Sequence, residues 1–191
     1  MYNITLFASG NGSNAENIIN FFDSDPMFVI NLIVCDNPSA FVLQRAHNHN
    51  IKSLIVDKVS FNNPDFMLEA LKNADTHFIV LSGFLKLVPE FLVNAYQNKI
   101  INIHPALLPA HGGKGMYGMR VHQDVINCGD KLSGITIHFV NKFFDSGAII
   151  FQASCNVVDG DTPDSLAQKV HALEYLHFPR VIKETVLKVL S

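Results

Sequence analysis

Cysteine is scarce in this chain of 191 residues. Cys35, Cys128 and Cys155 are odd in number and widely spaced, with no Cys-x-x-Cys among them. That argues against a disulfide framework and against a cysteine zinc site, and it suits a reducing compartment. Long apolar runs are also missing. With no stretch of about 18 apolar residues, no membrane span is expected. The first ten residues, Met1 to Gly10, lack a basic region, and their short apolar run is broken by glycine. They read as a first strand, not a signal peptide, so the expected location is the cytoplasm. No charge of one sign dominates. Fourteen basic and 17 acidic side chains leave a net charge of −3 without a block of like charges. The basic stripe of a nucleic-acid binder is absent, although a local phosphate site stays compatible with this balance.

What is present is apolar: 48% of residues, against 16% charged. That is too apolar for a disordered chain, and this length buries roughly two-thirds of its unfolded surface. One domain over residues 1–191 is expected. Short apolar runs recur at Ile4–Ala8, Val29–Val34, Phe78–Leu81 and Ile100–Ile103, as in strands covered on both faces. Between them, Asn14–Phe22, Phe41–Asn48, Pro64–Lys72 and Pro89–Ala95 carry helical spacing. The alternation predicts an α/β fold: a doubly wound, mostly parallel Rossmann-like sheet with helices on both faces. Residues 105–119 read as a long Pro- and Gly-rich loop, followed by a short helix around His122–Cys128. Gly134–Val140 and Ile149–Val158 then read as strands, the first antiparallel to its neighbours. Thr162 and Pro163 open a last helix, Thr as N-cap and Pro at the first helical position. That helix is expected to reach about His177 and to break or kink at Pro179.

Two constellations carry chemistry. Ser9-Gly10-Asn11-Gly12-Ser13-Asn14-Ala15 joins a strand to a helix, where unpaired backbone N–H groups make an anion site. Gly12, Ser13 and Asn14 are the candidate phosphate contacts. A capping box between Ser13 and Glu16 is the plain structural alternative. Gly10-x-Gly12-x-x-Ala15, with Asp36 about 20 residues on, also fits a loose dinucleotide fingerprint, so an NAD-binding oxidoreductase is a rival reading. The second constellation is Asn102-Ile103-His104-Pro105. Alternation along a strand puts Asn102 and His104 on one side, at the strand end that faces the ligand crevice of such sheets. An amide donor beside a histidine suits a carbonyl oxygen that gains negative charge; a pair that only satisfies strand-end backbone groups is the alternative. Asp145 lies in a turn between two apolar runs. It gains meaning only beside His104, where it would orient the imidazole and raise its pKa. No metal site is recognised among the histidines.

In order and spacing these segments, together with Leu81–Leu87, Gly134–Val140 and Asp145–Gly147, resemble the phosphoribosylglycinamide formyltransferases over nearly the whole chain. The resemblance implies 10-formyltetrahydrofolate as the formyl-donating cosubstrate, phosphoribosylglycinamide as the acceptor, and no metal. It implies Asn102, His104 and Asp145 as the catalytic trio, supported by Thr136 and His138. Gly12, Ser13, Asn14 and Glu174 would hold the ribotide; Leu85, Lys86, Leu87, Val88 and Asn102 would hold the folate. The N-terminal half would then serve the ribotide, and the C-terminal half the folate and catalysis, in a monomer or weak homodimer without nucleic-acid or membrane partners. Lys86 stands where the family commonly has arginine, and the loop 111–118 is longer than usual. Methionyl-tRNA formyltransferase and formyltetrahydrofolate hydrolase are the nearest alternatives, both expected to need a further domain.

Overall fold

The structure is a computed structural model and describes residues 1–190. Seven strands form one sheet: β1 Tyr2–Ala8, β2 Phe28–Cys35, β3 Lys52–Ile55, β4 Phe78–Leu81, β5 Ile100–His104, β6 Leu132–Phe139 and β7 Ile149–Asn156, in the order β3-β2-β1-β4-β5-β6-β7. Strands β1 to β5 pair in parallel, and β6 and β7 are antiparallel to their neighbours. The helices are α1 Ser13–Phe22, α2 Val42–Asn48, α3 Lys58–Phe61, α4 Pro64–Asn73, α5 Glu90–Ala95, α6 Met119–Cys128 and α7 Pro163–Leu190.

The sheet is covered on both sides because its central strands carry apolar side chains toward both faces. In β1, Ile4, Leu6 and Ala8 join the core under α1, α2, α6 and α7, whereas Phe7 joins the core under α3, α4 and α5. The expected doubly wound architecture and the antiparallel β6 are present.

Two elements lie outside the expectation. Strand β3 is an edge strand with no buried residue, so it lacks an apolar signal. Helix α3 is a single turn closed by a capping box, in which Asp57 Oδ1 accepts from the Ser60 N–H at 2.7 Å and Ser60 Oγ from the Asp57 N–H at 2.9 Å.

Helix α7 corrects a third expectation. Thr162 caps it as expected, its Oγ1 accepting from the Ser165 N–H at 3.2 Å. It does not end near His177, however, but runs 28 residues with Pro179 inside it. An interior proline costs about 3 kcal/mol against alanine. Phe178, Val181, Ile182 and Val186 beside it are buried in the core, and each such side chain contributes about 1.5–3 kcal/mol. Their summed burial exceeds the proline penalty, so the helix continues. Pro179→Ala should therefore raise unfolding stability by about 1–3 kcal/mol, read by urea denaturation. A less stable variant would show that the buried ring is worth more than the missing hydrogen bond.

Candidate active site

The chain winds from β1 outward through β2 to β3 and then crosses back to β4 on the other side of β1, and the crevice at such a switch point is where doubly wound sheets bind ligands. Here the carboxyl ends of β1 and β4 are tied together: the Ser9 N–H donates to the Gly83 carbonyl at 3.1 Å, and the Leu85 N–H donates to Ser9 Oγ at 3.0 Å. Helix α1 starts beside them. Its N-cap is Gly12, in the left-handed region with φ of 77°, and no side chain caps it. A Cβ at Gly12 would lie 2.5 Å from Val42 Cγ2, so only glycine lets the loop pass. The alternative reading of this segment, a Ser13–Glu16 capping box, does not form. Glu16 instead binds Arg45, which also donates to the Asn11 carbonyl and Oδ1, both at 2.9 Å. The first N–H groups of α1 thus have no side-chain acceptor, which suits an anion. Asn14 donates to Glu174 Oε2 at 2.9 Å. Glu174 is 5% exposed; burial raises its pKa, against the Asn14 hydrogen bond and the nearby His171.

The second constellation is assembled by the antiparallel register, which pairs Asn102 with His138 and His104 with Thr136. The His138 Nδ1–H donates to the Phe139 carbonyl at 2.8 Å, leaving Nε2 to accept from Asn102 Nδ2 at 3.2 Å. The same amide lies 3.4 Å from Asp145 Oδ1. Thr136 Oγ1 donates to the Ala106 carbonyl at 2.7 Å and accepts from the Leu108 N–H and from Gln152, both at 2.9 Å, which pins the turn after β5. Asp145 itself has φ of 49°. Its turn is so tight that a Cβ on Gly147 would sit 1.6 Å from the Phe139 carbonyl oxygen.

His104 is 3% exposed. Its Nε2–H donates to the His111 carbonyl at 2.8 Å, and its Nδ1 faces Asp145 Oδ2 at 3.6 Å. The upward pKa shift expected from Asp145 is overturned. Burial lowers the imidazole pKa by more than Asp145 and the His111 carbonyl raise it, and the neighbouring His138 and His111 lower it further. His104 is therefore neutral at pH 7, with its proton on Nε2 and a bare Nδ1. For Asp145 the balance runs the other way. Burial raises its pKa, but His138, His104 and the Gly113 N–H (2.9 Å) together hold it below the usual carboxylate range.

Two cavities meet at this trio. The larger, about 460 Å³, runs from Asn14, His171 and Glu174 past Leu85 to His104. The smaller, about 50 Å³, is lined by Lys86, Leu87, Val88 and His138. Asn102 and Asp145 line both. Of the five residues expected at the folate, Leu85 faces the larger cavity, Lys86, Leu87 and Val88 the smaller, and Asn102 both. Lys86 Nζ lies 3.7 Å from Asp36 Oδ2, so the carboxylate that the dinucleotide reading needs for a ribose is engaged by a cation.

Spacing did not single out Arg120, His122 or His171, which also line the larger cavity together with Lys114; helix α6 starts three residues earlier than expected, and that turn brings Arg120 in. Among the described residues, His111, Asp124 and Cys128 bring potential ligand atoms within 4.8 Å of one another. Both ring nitrogens of His111 already face carboxylates, those of Asp124 and Asp130. All three cysteines are free, and among the described residues no helix is long and apolar enough to cross a membrane.

An open helix terminus and an Asn–His–Asp trio, two of them on β5 and the third in the β6–β7 turn, mark an α/β enzyme of the group-transfer class. Residues 2–182 match the family model described as formyl transferase, and the chain belongs to that family. It is 36% identical over 189 residues to the phosphoribosylglycinamide formyltransferase of Bacillus subtilis, covering 96% of this chain and 94% of that protein. It is also 36% identical to the chloroplastic phosphoribosylglycinamide formyltransferase of Arabidopsis thaliana, of which it spans 63% of the length and which matches 94% of this chain. The crystal structure of the Bacillus halodurans phosphoribosylglycinamide formyltransferase superposes with a TM-score of 0.86 at 32% identity, over 96% of this chain and 95% of that one.

His122 supplies a pH test of the site's packing. It is 1% exposed and its Nδ1 has no partner. Burial, with His171 and His104 adding to it, pushes its pKa down to about 4. The unfolded chain therefore takes up this proton first, and stability should fall as pH drops from about 6.5 toward 4, by up to about 3 kcal/mol. His122→Asn should flatten that slope in denaturation curves at pH 7 and 4.5; an unchanged slope would assign the acid sensitivity elsewhere.

Proposed function

We propose that the protein transfers the formyl group of 10-formyltetrahydrofolate to the amine of 5′-phosphoribosylglycinamide, giving formylglycinamide ribotide and tetrahydrofolate in purine biosynthesis. The observation that carries this reading is that Asn102 and Asp145 stand where the 460 Å³ cavity that runs from Asn14 and Glu174 to His104 meets the small recess beside Lys86, Leu87 and Val88, so that a group passing between two bound substrates would be held against them. The ribotide phosphate sits on the N–H groups of Gly12, Ser13 and Asn14 at the start of α1, and Glu174 contacts the ribotide beside Asn14. Lys86, Leu87 and Val88 line the folate side, with Leu85 at the edge between the two. No metal is used.

The amine attacks as a neutral nucleophile. A C–N bond forms to the formyl carbon, and the carbonyl oxygen becomes an oxyanion that accepts a hydrogen bond from Asn102 Nδ2. His104 begins neutral, so its bare Nδ1 takes the amine proton, and the ionised Asp145 opposite stabilises the imidazolium that results. The C–N10 bond then breaks, and the proton passes from His104 to N10 directly or through a water. His138 and Thr136 hold Asn102 and the turn after His104 in place. We further assign the reaction to the cytoplasm, in keeping with three free cysteines. A monomer or weak homodimer suffices, because both cavities are lined by one chain.

A spectrophotometric assay with both substrates tests this. Loss of the formyl group from the folate should require the ribotide, and Asn102→Ala should lower kcat by roughly a hundredfold or more in a folded protein. Deformylation without the ribotide would make the protein a hydrolase of the same formyl donor. An unchanged kcat in the variant would remove Asn102 from the chemistry.

A further inference from the structure

The segment between β5 and α6 supplies Gly113 to Asp145 and the His111 carbonyl to His104. Its backbone has little stiffness of its own, since Gly113, Gly115 and Gly118 all take positive φ and glycine gives up the most freedom on ordering. Something must hold it. His111 lies midway along it, just before these glycines, with φ of 54° in a residue that is not glycine and only 10% of its side chain exposed. Its Nδ1 is 2.6 Å from Asp124 Oδ2 on α6, and its Nε2 is 2.7 Å from Asp130 Oδ2 in the turn before β6. An ionised carboxylate only accepts, so both contacts are hydrogen bonds at once only when the ring is an imidazolium with two N–H donors. Burial works against that charge, but the two carboxylates outweigh it and raise the His111 pKa. The titratable groups around the ring are Asp124, Asp130, Cys128 and His104.

We propose that His111 is a positioning residue: its ring, clamped between Asp124 and Asp130, fixes the backbone carbonyl that holds the proton of His104 on Nε2 and so leaves Nδ1 bare toward Asp145. This rests on the reading of His104 as the proton carrier. A neutral imidazole places its single proton on whichever nitrogen has the better acceptor. Asp145, 3.6 Å from Nδ1, competes for it. If the His111 carbonyl swings away, the proton moves to Nδ1, and the atom meant to take the amine proton is already occupied. The clamp holds while His111 is charged and loosens as pH rises through its raised pKa.

The test reads the tautomer directly. Full-length protein with ¹⁵N-labelled histidine is examined by long-range ¹H–¹⁵N correlation at pH 7, the His104 signals being assigned by their loss in His104→Gln. The wild type should show His104 as a single Nε2–H tautomer. Asp124→Asn/Asp130→Asn, which removes both carboxylates, should show a tautomer mixture and a kcat lowered at least tenfold, with KM for either substrate within about threefold. Asp124→Glu, which keeps the charge, should retain the wild-type spectrum and rate. If the double variant fails to fold, Asp130→Asn alone is read in the same way. A folded variant with the His104 tautomer unchanged would overturn the clamp, and a shifted tautomer with unchanged kcat would overturn its role in the reaction. The spectrum needs no substrate. A protein that transfers no formyl group yet shifts its tautomer would sink the proposed function and leave the clamp in place.

Discussion

The site depends on a change of direction in the sheet. Five parallel strands end their carboxyl termini along one crevice, and β6 then enters antiparallel against β5. The register of that single pairing sets Asn102 against His138 and His104 against Thr136. A slip of one residue would turn every side chain to the opposite face and disperse the trio. The buried apolar positions that alternate with these, Ile101, Ile103, Ile135 and Ile137, fix the register, because a slip would also bring polar groups into the core.

Around that pairing, electrostatics divide the labour. Burial keeps His104 neutral, whereas His138, His104 and the Gly113 N–H hold the Asp145 carboxyl below its usual range despite burial. The two groups are 3.6 Å apart and differ in charge state before any substrate arrives. A neutral base beside a fixed anion is suited to accepting one proton and returning it. The other side of the crevice works with backbone groups. Gly12 brings the start of α1 past Val42, and Arg45 takes up Glu16, the one acidic side chain of the first helical turn.

Much of this was legible in the residues. The strands β1, β2, β4 and β5 are mostly apolar because both faces are covered, and Asn102 and His104 show by their spacing that they share a side. The structural alternative, a Ser13–Glu16 capping box, is not formed, because Arg45, 29 residues away from Glu16, competes for that carboxylate. Pro179 misled because a local rule gave way to burial summed over its neighbours. The sign of the His104 shift was not readable from Asp145 alone; it follows from how deeply β5 is covered. The His111 clamp was invisible, since it joins residues 13 and 19 positions apart in no recognised motif.

In the proposed reaction, Asn102 and Asp145 form one reaction centre between the ribotide and the formyl donor. A crystal structure with phosphoribosylglycinamide and a stable dideaza analogue of the formyl donor would put this to the test. The phosphate should lie on the N–H groups of Gly12 to Asn14, the folate ring against Leu87 and Val88, and the formyl oxygen about 3 Å from Asn102 Nδ2. A phosphate elsewhere, or an amine and formyl carbon held apart with Asn102 touching neither, would contradict it.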